Sequence, residues 1–479
     1  MMKQLFLKLF SNHELIIKIT IVISLFLSTF FVFKLFQKPA IIDSTLNKIS
    51  HSYVRDAVNK NYVWKKTDQT FYYRDEKNTL RWDGKIYYDI SKNYYNNGDW
   101  KYCFFPLFPL VWKLSHISAI YIGLFNYLLF GFSVILLSML FFNITEISLI
   151  EKLYVFSISL LLPPIVIYYL PYAEALFMIT FVLAIFGLMK KKYWLFFISI
   201  LLFTMSRPIF TIIGLSFIII DSLYFIKHKN AKYFIKELLL KLLPVIIGTF
   251  IVFYMFFLNS GSFNKYFESH HKYWNITFSI PHKISDWSIE SFGMNVFTIF
   301  FILLPASIIF FLNFFKTYKK SETTEIPSIF NGDKIFIKEY LYHISLMYFF
   351  GVFAFIFFYQ GGSLNGLHRY ILDSPFFYIF LFYSYQKLRK VKAILFFSII
   401  SCLLIAALIL FANSPKLEPS LDFNDSGFFT LFLDLIFLYS LKYMNNLVKF
   451  ISFGIVALYN IIWITYLYNI YLCDGWIFT

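Results

Sequence analysis

Apolar runs of about 17 to 25 residues recur along the whole chain, and they limit the fold more than any other feature does. Hydrophobic residues make up 59% of the 479 positions, and charged residues only 15%. A run of this length crosses a bilayer as a helix, whereas a transmembrane β-barrel needs short alternating segments, which the sequence lacks. The sequence therefore predicts an all-α polytopic membrane protein, with residues 1–479 forming one integral membrane domain.

Helices that cross the membrane are predicted at about 13 places. The first, 15–36, is expected to be a retained anchor because it is long and no small-residue cleavage site follows it. The remaining predicted spans are 117–141, 151–169, 172–189, 193–206, 208–226, 242–258, 295–315, 339–359, 371–386, 393–411, 427–441 and 450–471. No internal repeat of fixed period is visible, which disfavours the inverted repeats of many secondary transporters.

The formal charge of +16 is carried by lysines in short loops between apolar runs, where they orient helices. We therefore set aside binding to nucleic acid. With the N-terminus in the cytoplasm, the expected cytoplasmic residues are Lys190, Lys191, Lys192, Lys227, Lys229, Lys232, Lys236, Lys241, Lys316, Lys319, Lys320, Lys334, Lys338, Lys387, Arg389, Lys390 and Lys392. Two loops that balance lysines with acids, 259–294 and 412–426, are expected outside.

The long first loop, 37–116, is also expected outside, because a segment of this length is translocated largely regardless of its charge. This topology brings several polar features to one face: the first loop, the hairpin that ends at Glu174, the neighbourhood of Arg207, and His368 with Arg369. That face is predicted to be the outer one. The lysine-rich and asparagine-rich composition suggests a prokaryotic plasma membrane.

The most polar segment of the chain reads RWDGKIYYDISKNYYNNGDWKYCFFPLFPL and covers 81–110. Asp83 is either a solvated loop acid or a general base. The base is favoured by an aromatic helix-like run, Ile86 to Ile90, which is expected to lie in the membrane interface and to desolvate the carboxylate in part. Asp89 is the fallback acid. The loop and interface residues singled out with them are Arg81, Trp82, Phe105 and Pro106.

Two charged residues stand inside apolar sequence. Glu174, in PYAEALF, either complements a helix dipole or has a partner, since charge near hydrocarbon is costly. Arg207, in FTMSRPIF, requires a cavity, an anionic ligand or a carboxylate such as Glu174. For Glu174, an interaction with the helix dipole and a charged partner both stay open. For Arg207, a functional role and structural pairing with Glu174 both stay open.

Histidines and cysteines give weaker signals. His368 and Arg369 at a membrane boundary suit a phosphate group, or act as interfacial anchors with Tyr370. His270 and His271 have no third ligand at metal spacing, so no metal site is assigned and the metal requirement is left open. The cysteines, which are Cys103, Cys402 and Cys473, are too far apart to indicate a disulfide framework.

Four blocks in this order resemble the PIG-V type mannosyltransferase family, the second mannosyltransferase of glycosylphosphatidylinositol assembly and its prokaryotic relatives. The blocks are WDG with FFPLFPL, then PYAEALF, then SRP, then HRY. They lie between residues 81 and 375, and the first block is the most specific. The last three predicted spans add nothing to the resemblance.

The resemblance implies a GT-C glycosyltransferase fold and transfer of a sugar, mannose, from a polyprenyl-phosphate carrier on the outer face with inversion. Asp83 matches the acid of the family's first loop, and Glu174 its hairpin acid. Arg207 and Arg369 match its two arginines. The acceptor is then a glycolipid, a glycan or a protein, and eukaryotic members use a partner membrane subunit. No cofactor is expected, because a polyprenyl-phosphate sugar needs no nucleotide pocket.

The resulting hypothesis makes Asp83 the base that takes the acceptor's proton, with Asp89 and Glu174 as supporting acids. Arg207 and Arg369, assisted by His368, would hold the lipid phosphate. Two other classes stay open. A transporter or lipid-linked saccharide flippase would concentrate charge at mid-membrane depth, and a scaffold of a polysaccharide assembly complex would not need Asp83.

Overall fold

The structure is a computed structural model that describes residues 13–36, 52–58, 61–67, 76–96, 98–142, 147–274, 278–281, 292–319, 328–362, 364, 366–412 and 426–472. Parts of the first loop, most of the predicted outer loop 412–426, Lys320 and Cys473 lie outside these residues.

Helices make up most of the described backbone. In chain order the elements are α1 (His13–Phe36), β1 (Ser52–Val58), β2 (Asn61–Thr67), α2 (Glu76–Thr79), α3 (Trp82–Asn93), α4 (Leu107–Ser115), α5 (Ala119–Phe141), α6 (Leu149–Ser159), α7 (Glu174–Met189), α8 (Tyr193–Ser206), α9 (Phe210–His228), α10 (Ala231–Ser260), α11 (Lys265–Trp274), α12 (Phe292–Phe297), α13 (Leu304–Lys319), α14 (Lys334–Tyr359), α15 (Leu367–Leu372), α16 (Pro375–Leu388), α17 (Ala393–Ala412), α18 (Ser426–Ser440) and α19 (Asn446–Leu472). Short 3₁₀ segments cover Asp99–Cys103, Pro163–Tyr169 and Ile329–Asn331, and a π-helical segment, Thr298–Leu303, joins α12 to α13.

Seven helices within the described residues are long and apolar enough to cross a membrane, or eight if one bent pair counts as a span. Four shorter apolar helices accompany them: Glu174–Met189, Tyr193–Ser206, Phe210–Ile226 and Gly427–Ser440. The predicted class, a helical multi-pass membrane protein, is confirmed at this level. Each of the predicted spans overlaps helical backbone, while the total of about 13 crossings stays a prediction.

The span predicted at 151–169 is not a continuous helix. It consists of α6 and the Pro163–Tyr169 segment, whose axes differ by 66°. The cause is Pro163 followed by Pro164, because proline lacks a backbone donor and its ring clashes with the preceding turn. The chain therefore turns before it reaches α7, and this turn sets the position of Glu174.

A β-hairpin lies in the first loop. β1 and β2 are antiparallel, with Ser52 opposite Thr67 and Val58 opposite Asn61. Their sequences, SYVRDAV and NYVWKKT, contain the β-branched and aromatic residues that favour strands.

The second half of the first loop packs against the helices through the aromatic run FFPLFPL. Phe104 and Phe108 meet Tyr87 of α3 edge to face, at ring separations of 5.3 and 5.2 Å. Phe105 is fully buried and contacts Phe256 of α10 and rings of other helices. Burial of this much aromatic surface fixes α3 and α4 on the helical domain.

The first loop also contacts the loop helix α11. Asp99 forms ion pairs with Lys265 at 2.9 Å and Lys272 at 3.4 Å, and Phe105 meets the ring of Tyr266 at 5.7 Å. Two loops that were predicted to share a face therefore lie together. Which side of the membrane they occupy stays a prediction.

A buried ion-pair network lies far along α9 from Arg207. Lys241 of α10 donates to both carboxylate oxygens of Asp221 at 2.8 Å, and the Tyr340 hydroxyl of α14 donates to Asp221 at 2.9 Å. Asp221 lies 11 residues beyond Phe210, the first residue of α9, which corresponds to about 16 Å of helix. This network joins α9, α10 and α14 at a distance from the site described below.

Candidate active site

Asp83 is placed by the phase of α3. The residues Asp83, Tyr87 and Ile90 follow the spacing i, i+4, i+7, which puts them on one face of a helix. Tyr87 and Ile90 are buried, so Asp83 lies on the face of α3 that packs against the protein, where its side chain is partly exposed. Burial, with a contribution from the carboxylates of Glu174 and Asp83, raises the pKa of Tyr87. The helix predicted from the aromatic run is confirmed.

The start of α3 is held tightly from two sides. Gly84 lies so close to Pro171 that a Cβ on Gly84 would stand 2.5 Å from Pro171 Cγ. The Tyr471 hydroxyl accepts from the Arg81 amide at 3.3 Å and lies 3.0 Å from the carbonyl oxygens of Thr79 and Arg81. The glycine of WDG is therefore required for contact with the proline of PYAE, which joins the first two sequence blocks.

Trp82 has a left-handed backbone conformation, with φ of 46°. This conformation costs energy for a bulky residue, and such residues persist where surrounding packing imposes them. The indole is partly buried and packs against the main hydrophobic core. The strain is located immediately before Asp83, so it contributes to the direction in which the carboxylate points.

Glu174 is the first residue of α7 and lies at the end of a fixed turn. The Asn126 side chain of α5 donates to the carbonyl oxygens of Leu170 and Tyr172, at 2.8 and 2.9 Å. This clamps the turn between the 3₁₀ segment and α7. The side chain of Glu174 is only 1% exposed, so a partner was required, and two arginines provide it.

Arg207 follows α8 and precedes Pro208. Its extended backbone, with φ of −151° and ψ of 155°, is the conformation that a following proline favours, so α8 ends there. Its Nη1 lies 3.0 Å from Glu174 Oε1, and its guanidinium stacks on Tyr370 at 4.9 Å. Pairing with Glu174, one of the two predicted alternatives, is confirmed. Within the described residues, Glu174 is the one ion-pair partner of Arg207.

Arg369, in the short helix α15, joins the two acids. Its Nε donates to Glu174 Oε1 at 2.8 Å, and its Nη2 donates to Asp83 Oδ2 at 2.8 Å. The guanidinium also lies over the ring of Tyr172, 4.9 Å from the centroid. One arginine therefore connects the WDG, PYAE and HRY blocks.

The result is a chain of alternating charges: Asp83, Arg369, Glu174 and Arg207. Two carboxylates balance two guanidinium groups, so the four residues are together neutral. The four residues differ in exposure. The side chains of Glu174 and Arg207 are 1% and 8% exposed, whereas that of Asp83 is 26% exposed. An incoming hydroxyl group can therefore reach Asp83 but not Glu174. The arginines retain donor nitrogens beyond those that bind the carboxylates, so the arrangement suits an anion.

Two of the predicted loop residues have local partners instead. Asp89 is six residues beyond Asp83, so the two side chains project about 120° apart on α3. Asp89 pairs with Lys101 at 2.6 Å and accepts from Asn93 at 2.7 Å. Burial acts to raise the pKa of Asp89, but the hydrogen bonds from Lys101 and Asn93 and the positive charges of Lys101 and Lys85 together hold this pKa below its ordinary value. Arg81 donates through Nη2 to Asn78 at 2.9 Å.

His368 is fully buried beside Arg369 and contacts α12. Both its backbone nitrogen and its ring Nδ1 lie 2.9 Å from Asn295 Oδ1. Its assistance in phosphate binding stays a prediction. Phe105 and Pro106 are buried in the aromatic packing between the first loop and the helices, where Pro106 precedes α4.

The predicted histidine pair lies in α11. His270 meets the ring of Tyr266 at 4.4 Å, and burial lowers the pKa of His270 to about 4. His271 is exposed. Within the described residues, no three His, Cys, Asp or Glu side chains come together in a way that could hold a metal ion.

Tyr172 and Asp373 were not singled out from the sequence, whereas Tyr370 was named there beside His368 and Arg369 as an interfacial anchor. Tyr172 and Tyr370 stack on the two arginines, and each adjoins a motif residue, which was an available signal. Asp373 lies four residues after Arg369 and is 1% exposed. Neither of its carboxylate oxygens has a hydrogen-bond partner within the described residues, and no sequence pattern indicated this.

No family model, no curated protein and no solved structure matches this chain.

Proposed function

We propose that this protein is a GT-C type glycosyltransferase related to the PIG-V type mannosyltransferases. It transfers a sugar, mannose, from a polyprenyl-phosphate carrier to an acceptor on the outer face, with inversion. The observation that carries the proposal is the network of Asp83, Arg369, Glu174 and Arg207. Each of these residues was selected from a separate sequence block, and the blocks are far apart in the chain. Their meeting supports a common function.

The acceptor is a glycolipid, a glycan or a protein, and its hydroxyl group loses a proton as it attacks the anomeric carbon. Asp83 is the proposed base because it is the accessible acid of the network, at 26% exposure of its side chain. Glu174 is too deeply buried to meet the acceptor, and Asp89 is engaged by Lys101. Glu174 acts instead as the anchor that orients both arginines.

Arg207 and Arg369 are the proposed ligands of the lipid phosphate. Stacking on Tyr370 and Tyr172 and pairing with Glu174 hold both guanidinium groups in place before the donor arrives. Preorganised donors of this kind stabilise charge that develops on a leaving group, and a guanidinium binds phosphate through two parallel hydrogen bonds. The aromatic run that contains Phe105 and Pro106 braces the first loop, and its position beside α10 suits the route of the lipid chain.

The proposal is tested with purified protein reconstituted in liposomes that contain polyprenyl-phosphate [³H]mannose and a membrane lipid extract as the source of acceptors. We expect labelled mannose to pass to a new product and polyprenyl phosphate to be released. Movement of the intact donor across the bilayer without transfer would support a flippase and contradict the proposal. An Asp99→Asn variant alters a surface ion pair of the loop that contains Asp83, and it serves as the matched control for substitutions of Asp83.

A further inference from the structure

Arg369 contacts two acids, Glu174 and Asp83, and its contact with Asp83 is the easier one for another anion to replace. Glu174 is 1% exposed and contacts two arginines, so loss of its partners would leave a buried charge uncompensated. Asp83 is 26% exposed and is held by Arg369 alone among the described residues. Partly exposed ion pairs contribute little, since water replaces the lost partner. Asp83 is therefore the partner that a competing anion displaces.

We infer that the donor phosphate takes the Arg369 Nη2 contact from Asp83, so that donor binding itself releases the catalytic base. This inference rests on the proposed function, and it adds an order to the reaction. Before the donor binds, a lone pair of Asp83 Oδ2 is engaged by Arg369 at 2.8 Å. After it binds, the phosphate occupies the guanidinium and Asp83 is open to a hydroxyl group.

The geometry of Arg369 suits such an exchange. Its Nε contact with Glu174, at 2.8 Å, and its stacking on Tyr172 do not involve Nη2. The guanidinium can therefore keep its contact with buried Glu174 while Nη2 changes its partner from the Asp83 carboxylate to a phosphate. Both partners are planar or tetrahedral oxyanions that accept from the same fork of N–H groups.

Asp83 stays in position when the contact is lost, because its helix is fixed independently of Arg369. Gly84 is in close contact with Pro171, and the Tyr471 hydroxyl holds the backbone of Arg81. The carboxylate thus remains beside the phosphate-bound guanidinium. The negative charge of the phosphate now lies near it, which increases its affinity for a proton.

The chemical step then balances as follows. The acceptor oxygen forms a bond to the anomeric carbon and gives its proton to Asp83. The bond between that carbon and the phosphate oxygen breaks, and its electron pair stays on the phosphate. The phosphate gains one negative charge, which Arg369 and Arg207 stabilise. After polyprenyl phosphate has been released and Asp83 has lost the proton, Arg369 pairs with Asp83 again.

The test compares the affinity of wild type and Asp83→Asn for polyprenyl phosphate, a probe that carries the phosphate but no sugar. Removal of the competing carboxylate is expected to tighten binding about three- to tenfold, although the same variant loses sugar transfer. Asp83→Ala, which cannot accept from Arg369 at all, is expected to bind at least as tightly. Asp99→Asn, which alters a surface ion pair of the same loop, is expected to bind like wild type.

Unchanged or weaker binding by folded Asp83→Asn and Asp83→Ala, with transfer lost, would overturn the exchange and leave the proposed function standing. Failure of wild type to bind polyprenyl phosphate would overturn the proposed function and the exchange together. Thermal unfolding of each variant is measured first, and Asp83→Ala replaces Asp83→Asn if the latter does not fold.

Discussion

The guanidinium nitrogen Nη2 of Arg369 lies 2.8 Å from the carboxylate oxygen Oδ2 of Asp83, although 286 positions separate the two residues. This contact joins the first loop to the late HRY block. Arg369 also forms an ion pair with Glu174, and Glu174 forms another with Arg207. The polar residues of the four sequence blocks thus form one physical unit.

Gly84→Ala is expected to destabilise the protein by about 1 to 3 kcal/mol and to reduce activity, because the new methyl group would meet Pro171 Cγ at 2.5 Å. Thermal unfolding and sugar transfer are measured together. The matched control is Gly454→Ala in α19, where a Cβ meets nothing within 4 Å and alanine favours the helix. Equal stability of the two variants would show that the Gly84 to Pro171 contact is unimportant.

Glu174→Gln is expected to destabilise the protein by about 3 to 5 kcal/mol, because two buried arginines lose the negative charge that both of them pair with. Asp83→Asn should cost only about 1 kcal/mol or less, since Asp83 is partly exposed. Adding Arg207→Gln to Glu174→Gln should recover part of the loss, because it removes one uncompensated charge. A strictly additive double variant would contradict this account of the network.

Stability is expected to fall as the pH drops from about 6.5 towards 4, through His270. Burial lowers the pKa of His270 to about 4 in the folded protein, below the ordinary value of an unfolded chain. Between these values the unfolded state binds more protons, so acid favours unfolding. His270→Gln should flatten the dependence of the unfolding midpoint on pH in this range. Exposed His271, replaced in the same way, provides the control, and an identical effect of both substitutions would refute the assignment.

Local sequence properties predicted much of the fold. The long apolar helices follow from apolar length, and a charge placed in apolar sequence required a partner, which predicted pairing of Arg207 with Glu174 as one alternative. The break in the span at 151–169 follows from Pro163 and Pro164. The prediction of one continuous span used only the apolar length of this segment and did not take these prolines into account. The distinction between Asp83 and Asp89 was also available, since the helical phase separates them.

Other features depend on contacts between distant parts of the chain. The Asp83 to Arg369 pair exists because Gly84 fits against Pro171 and because α15 places Arg369 beside Glu174, at the start of α7. Nothing in the local sequence of either block specifies the other. The burial of Asp373 without a partner, and the turn of His368 to Asn295, likewise arise from the packing of helices that the sequence does not order in space.

The central claim is that Asp83 is the base of a sugar transfer from polyprenyl phosphate. The most direct test is the single-turnover rate of mannose transfer by purified wild type and by Asp83→Asn, at saturating donor and with both proteins shown to be folded. We expect a rate about 10²- to 10⁴-fold lower in the variant, which is the contribution of a general base, and the wild-type rate in Asp99→Asn. Transfer by Asp83→Asn at a rate within about threefold of wild type would contradict this claim, since a base that contributes by proton transfer cannot be replaced by an amide at so small a loss.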